Sequence, residues 1–156
     1  MYEIYLVNDA DAAGVAEVQF GAAKGHPGLV LMTTLGTGIG SALIYRGVLI
    51  PNTELGHIEI DGHDAETRAA ASVKESLGLS YGEYVPRLQR YYEVLEALFW
   101  PDLIVVGGGV SKKSEKFLPK LRLKTEIVPA KLLNTAGIVG AAWLARDRLT
   151  NPDPMK

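Results

Sequence analysis

The sequence has 156 residues, 47% hydrophobic and 22% charged, which suits one globular domain and excludes a disordered or collagen-like chain. Sixteen Lys and Arg against 18 Asp and Glu leave a net charge of −2, so a nucleic-acid polycation is not expected. With no cysteine, disulfides, thiolate zinc sites and a catalytic thiol are excluded, and no apolar run approaches the length of a membrane span. Tyr2 to Val7 reads as a short buried strand rather than a secretory leader, because Glu3 interrupts it. Asn8-Asp9 ends that strand, and Asp11 is expected to cap a helix running to about Ala23. Breakers from Lys24 to Gly28 follow. Leu29 to Leu35 is a second strand, Gly36 to Gly40 a tight turn, and Ser41 to Arg46 the returning arm of a hairpin. Ile58 to Ile60 is a further short strand.

The second half is richer in helix. Ala65 to Lys74 and about Gly82 to Phe99 are helix candidates, with Pro86 expected in a first turn. Asp102 to Val106 is an apolar strand that runs into three glycines. Ser111 is expected to cap a helix over Lys112 to Lys120, Ile127-Val128 to form a last strand, and Ala136 to Arg148 a helix with a small, closely packing face. Asn151 to Lys156 is a polar tail. Trp100 and Trp143, among apolar neighbours, are expected in the core. Strands alternating with helices, plus one antiparallel hairpin, imply an α/β fold with a mixed sheet flanked by helices.

Five stretches carry chemistry, each with a structural alternative. A carboxylate at a strand end, as in Asn8-Asp9, faces the usual ligand crevice of an α/β fold, and Asp9 could take a proton from a hydroxyl; the alternative is a capped turn. The turn Gly36-Thr37-Gly38-Ile39-Gly40 lets backbone N–H groups approach a phosphate, or is a plain hairpin turn. A strand follows it and no Lys-Ser/Thr pair, so it is neither a Walker loop nor a dinucleotide fingerprint. Glu54-Leu55-Gly56-His57 places a carboxylate and an imidazole where both could bond vicinal hydroxyls. His57, Glu59, Asp61 and His63 would share one face of a continuous strand, as an N/O metal set or as a solvated face. Gly107-Gly108-Gly109 before a helix start suits a phosphate group or a tight connection. Lys112 to Lys131 holds seven of the 16 basic residues, among them Lys112 and Lys113, a strip for a polyanion or a solvated face.

The order of these stretches is more specific than any one of them. Asn8-Asp9, LGTGIG, Glu54-Leu55-Gly56-His57, IVVGGGVS and AGIVGAA, with the phrases NDADAAGVAE, LIPNTELGH, AAASVKE, WPDLIVVGGG and NTAGIVGAA, resemble the ROK family of sugar kinases, in its polyphosphate glucokinase branch. The resemblance implies an actin-like ATPase, ribonuclease H-like lobe. It implies phosphoryl transfer from inorganic polyphosphate or ATP, with Mg²⁺, to the 6-hydroxyl of glucose, mannose being a further candidate. It makes Asp9 the catalytic base and Asn8, Glu54, His57 and Glu66 the substrate-binding residues. Gly36, Thr37, Gly38 and Gly40 would meet the transferred phosphoryl group, and Gly107, Gly108, Gly109, Lys112 and Lys113 the donor. Many members carry a cysteine-rich zinc motif; its absence here implies no zinc and no protein-held metal, as in the polyphosphate branch. The family's first lobe, with its Asp-x-Gly-Gly phosphate loop, has no counterpart in the sequence. Residues 1–150 therefore read as the C-terminal lobe and 151–156 as a tail, in a cytoplasmic protein that is a homodimer or pairs with a second chain, with no DNA or membrane partner. The rival readings are a fragment of a ROK-type sugar-sensing transcriptional regulator and a non-catalytic dimerising lobe.

Overall fold

The computed structural model describes Ile4 and residues 6–150. In chain order the elements are α1 Asp9–Phe20, β1 Leu29–Leu35, β2 Ile39–Tyr45, β3 Val48–Ile50, β4 Glu59–Ile60, β5 His63–Asp64, α2 Glu66–Ala69, α3 Ala71–Ser76, α4 Tyr81–Phe99, β6 Leu103–Gly107, β7 Glu126–Pro129 and α5 Ala136–Thr150. Five strands make one mixed sheet in the order β3-β2-β1-β6-β7. β2 runs antiparallel to both β1 and β3, while β6 is parallel to both β1 and β7. β4 and β5 form a separate small hairpin.

Period-2 alternation splits the sheet residues between two cores. Leu31, Leu35, Leu43, Ile104 and Val106 face Tyr84, Leu88, Tyr91, Tyr92 and Leu95 of α4, with Phe117 and the alanines of α2 and α3. Val30, Met32, Ile44, Leu103 and Val105 face the other way, toward Ala13, Ala16 and Val18 of α1 and Ala136 of α5. The result is a helix–sheet–helix layer structure. α5 lies against α1 so closely that a Cβ at Gly140 would strike the backbone of Ala12, as its small face led one to expect. Glu17, fully buried in α1, accepts from the N–H groups of Ala22 (2.6 Å), Lys131 (3.1 Å) and Leu132 (2.7 Å) and so ties α1 to the loop before α5.

Several expectations are corrected. Of the first strand, Tyr2, Glu3 and Tyr5 lie outside the described residues. Ile4 and Leu6 are 86% and 97% exposed and Val7 is also exposed, with none of the three in a strand. Both edges of β1 are already taken by β2 and β6, so this apolar segment has no ladder to join there. Asn8, not Asp11, caps α1, its side chain accepting from the Ala10 N–H at 2.9 Å. Asp11 is buried and accepts from the Asn52 N–H at 2.8 Å.

The helix expected over 65–74 breaks at Ala70, whose ψ of 152° is extended. The break lets Ser72 bond the Gly36 carbonyl through its N–H (3.0 Å) and the Thr37 carbonyl through its hydroxyl (2.6 Å). α4 starts earlier than expected because Ser80 and Glu83 form a reciprocal capping box, which moves Pro86 into the helix interior. Trp100 is 79% exposed, not in the core. It ends α4 in the left-handed region (φ 46°), and Pro101 after it disfavours continued helix. Trp143 is half-buried.

No α-helix forms over Lys112 to Lys120. Gly109–Lys116 and Leu118–Lys120 are 3-10 segments, the first kinked at Lys113; Phe117 and Leu118 are buried all the same, and Pro119 after them lacks a donor. Ser111 caps nothing; its hydroxyl donates to the Gly108 carbonyl at 2.7 Å. Two unexpected hairpins share one device, a residue and a glycine both at positive φ. They are Arg46-Gly47 (51°, 79°) before β3 and Asp61-Gly62 (53°, 79°) between β4 and β5.

Candidate active site

An open cavity of about 450 Å³ lies where α1 begins, beside the β1–β2 turn. Asn8, Asp9, Thr34, Gly36, Thr37, Gly38, Ile39, Gly40, Glu54, His57, Glu66 and Gly108 line it. Ten residues expected to carry chemistry thus converge from five separate stretches of sequence. Four do not. Gly107 is buried in β6 against Met32, Gly109 is exposed away from the cavity, and Lys112 and Lys113 are exposed on the 3-10 segment beyond it. The metal set His57, Glu59, Asp61 and His63 does not share a strand face, because the chain reverses at Asp61-Gly62.

Asp9 stands in the first turn of α1, where the helix N-terminus favours its charge. Its Oδ1 accepts from the Ala10 N–H at 2.8 Å, and its Oδ2 has no partner among the described residues. The glycine turn closes on itself through a Gly36 N–H to Gly38 carbonyl bond of 3.0 Å. The Ser72 latch holds the Gly36 and Thr37 carbonyls. All three turn carbonyls are therefore engaged, while the N–H groups of Thr37 and Gly38 have no partner among the described residues. A side chain at Gly38 would collide with the Glu66 carboxylate, and one at Gly108 with the backbone of Leu35. Glycine at Gly108 is required twice over, since its φ is +84°.

Glu54 is placed by a staple on β2. The Ser41 hydroxyl donates to the Thr53 carbonyl (2.9 Å) and accepts from the Leu55 N–H (2.9 Å), and Asp11 holds Asn52 from the other side. Glu54 then accepts from the Asn8 amide at 3.3 Å. Gly56 packs so tightly on the Ile39 carbonyl that no Cβ fits, which explains the glycine inside Glu-Leu-Gly-His. Glu66 accepts from the Ile39 N–H at 3.0 Å through Oε2. His57 Nδ1 bonds Asp64 Oδ2 at 2.9 Å and lies 3.9 Å from Glu66 Oε1. The Asp64 bond, then the Glu66 charge, raise the His57 pKa above its ordinary value of 6.5. Ligand atoms of His57, Asp64 and Glu66 lie within 4.8 Å of one another, but the His57–Asp64 bond already joins two of them.

Sequence reasoning missed Asp64, the Ser41 and Asp11 supports, Thr34 and Ser72. The Asp61-Gly62 pair was the available signal for Asp64, because a two-residue hairpin there returns the chain to His57.

A sequence profile of the ROK family matches residues 1–73. The polyphosphate glucokinase of Mycobacterium tuberculosis is 53% identical over 140 residues, covering 90% of this chain and 53% of that protein. Residues 1–73 thus carry the sequence pattern of the ROK family. The crystal structure of an inorganic polyphosphate/ATP-glucomannokinase from Arthrobacter sp. strain KM superposes with a TM-score of 0.89 at 59% identity, over 91% of this chain and 56% of that one. A ROK family glucokinase from Streptomyces griseus, solved with glucose and AMPPNP, shares the fold at 24% identity, with a TM-score of 0.78 over 91% and 68% of the two chains. The lobe is of the actin-like ATPase class. The chain spans about half the length of these curated relatives. Among the described residues no helix is long and apolar enough to cross a membrane.

Proposed function

We propose that this chain is the C-terminal lobe of a glucokinase that moves a phosphoryl group from inorganic polyphosphate or ATP to the 6-hydroxyl of glucose. One observation carries the reading: the unpartnered Asp9 oxygen shares a cavity with the unpartnered N–H groups of Thr37 and Gly38. A hydroxyl placed between them would give its proton to Asp9 while its oxygen bonds to phosphorus and the donor's bridging P–O bond breaks, the shortened polyphosphate or ADP leaving with the electron pair; the turn would take up charge on the phosphoryl oxygens. Asn8, Glu54, His57 and Glu66 supply donors and acceptors for the sugar's other hydroxyls. Gly40 leaves room beside Asp9's helix, and Gly108 opens the donor side. The printed names of the Mycobacterium and Arthrobacter relatives support the polyphosphate donor. The Asp9 carboxylate and the Thr34 and Thr37 hydroxyls make an oxygen-rich lining that suits a hard cation. With Mg²⁺ carried in on the donor, this lining would face the cation, which would supply charge neutralisation.

A coupled glucose-6-phosphate assay with Mg²⁺, glucose and either donor tests the reading, on this chain alone and with the N-terminal half of a relative added. Asp9→Asn is expected to lower kcat by about 10²- to 10⁴-fold while glucose affinity by calorimetry stays within about twofold. Turnover near that of the parent chain would remove Asp9 from the base role.

A further inference from the structure

On the far side of α2 lies a second cavity, of about 440 Å³, walled by Ile60, Ala65, Ala69, Pro86 and Tyr91. Its polar groups are cationic: Arg68, Arg87 and Arg90, with His63, against the single carboxylate of Asp61. The guanidinium groups are held in place. Arg90 makes a bidentate pair with Asp61, with Nε and Nη2 each at 2.8 Å from a carboxylate oxygen. Arg68 donates to His63 Nε2. Arg87, half-buried, makes one contact of 3.3 Å to the Arg68 carbonyl and faces no carboxylate among the described residues. Each guanidinium has five N–H donors, so most of those in the cavity are unspent. The volume is that of a small-molecule pocket, and its apolar wall would cover a ligand's organic body.

We propose that this cavity binds a small phosphomonoester with an apolar body, its dianion seated on Arg87 and Arg68. Two guanidinium groups without an acidic partner match a double negative charge, and their planar forks match phosphate oxygens. The site is separate from the cavity of Asp9. α2 is their common wall, with Glu66 on one side and Arg68 on the other. The inference goes beyond the kinase reading and does not depend on it.

The test is a titration of the isotope-labelled chain with phenyl phosphate, inorganic phosphate and benzoate, followed by NMR. Phenyl phosphate is expected to move the signals of His63, Arg68 and Arg87 saturably, and to bind more tightly than either other probe. Arg87→Ala should weaken it by about tenfold or more, and Arg87→Lys by less. Arg68→Ala serves as the second variant, with circular dichroism confirming that both fold. Shifts confined to Gly36–Gly40 would overturn the proposal. So would equal affinities for the parent and Arg87→Ala chains, or for benzoate and phenyl phosphate.

Discussion

His57 shows how one side chain can be set by neighbours that lie far from it in sequence register. The Asp64 hydrogen bond, reinforced by Glu66, favours the imidazolium in the folded chain. A raised folded pKa gives stability that is fully present below the ordinary value of 6.5 and is lost as pH rises through the folded value. Asp64→Asn is therefore expected to lower the His57 titration midpoint, read from its ring proton shift. The stability gap between parent and variant should shrink as pH climbs above the folded midpoint. A gap that widens with pH would contradict the assignment. Asp9, Glu54, His57 and the glycines of the β1–β2 turn were legible as cavity-lining residues because each residue type has a chemical reason to be there. Asp64 was not, since the sign of the hairpin that brings it home lies in Asp61-Gly62 and not in the carboxylate itself. Asp11 was misjudged for a related reason. An acidic residue near a helix start looks like a cap, and only the fold reveals that Asn8 holds that place and that Asp11 reaches across to Asn52.

At the scale of elements, strands and the long amphipathic helix were readable, and junctions were not. β1, β6 and α4 announce themselves by apolar runs or by 3.6-residue spacing. Ala70 and Lys113 fall inside plausible helical patterns, yet the chain leaves the helix at both. At Ala70 the latch of Ser72 on the glycine turn outweighs alanine's propensity. Glu17 is the strongest single tie between elements. Glu17→Ala would leave the part-buried N–H groups of Ala22, Lys131 and Leu132 without this acceptor, each costing up to about 1–3 kcal/mol. A loss of at least about 3 kcal/mol is expected in urea unfolding, with Glu17→Gln, which keeps one acceptor oxygen, intermediate. A change within about 0.5 kcal/mol would show that the tie is dispensable.

The whole molecule is a layered sheet with the candidate site gathered at one end and Lys112 and Lys113 beyond it. A chain of phosphates leaving the cavity past Gly108 would next meet the 3-10 segment bearing Lys112 and Lys113. Lys74 and Lys116 both stand by the Tyr81 ring, with ammonium groups 4.5 Å and 5.6 Å from its centre. Replacing Lys112 and Lys113 together by alanine is expected to raise the KM for polyphosphate several-fold and leave that for ATP nearly unchanged. Equal effects on both donors would remove these lysines from the polyphosphate path. Charge at this distance acts through screened attraction, so the difference should fade as salt is added.

The packing of α5 on α1 has a consequence in time. The two helices are separated by more than a hundred residues, yet α1 covers its small residues only when Gly140 settles over Ala12. On a ribosome, β1 and β2 can pair as soon as they emerge, since their contacts are local. The segment holding Asp9 comes out before either of them and must wait for α5 to be translated. At about 5–20 residues per second that interval is several seconds or more. The acid that would do the chemistry is thus made ahead of the sheet beside it, and its helix is locked in place only after α5 has followed.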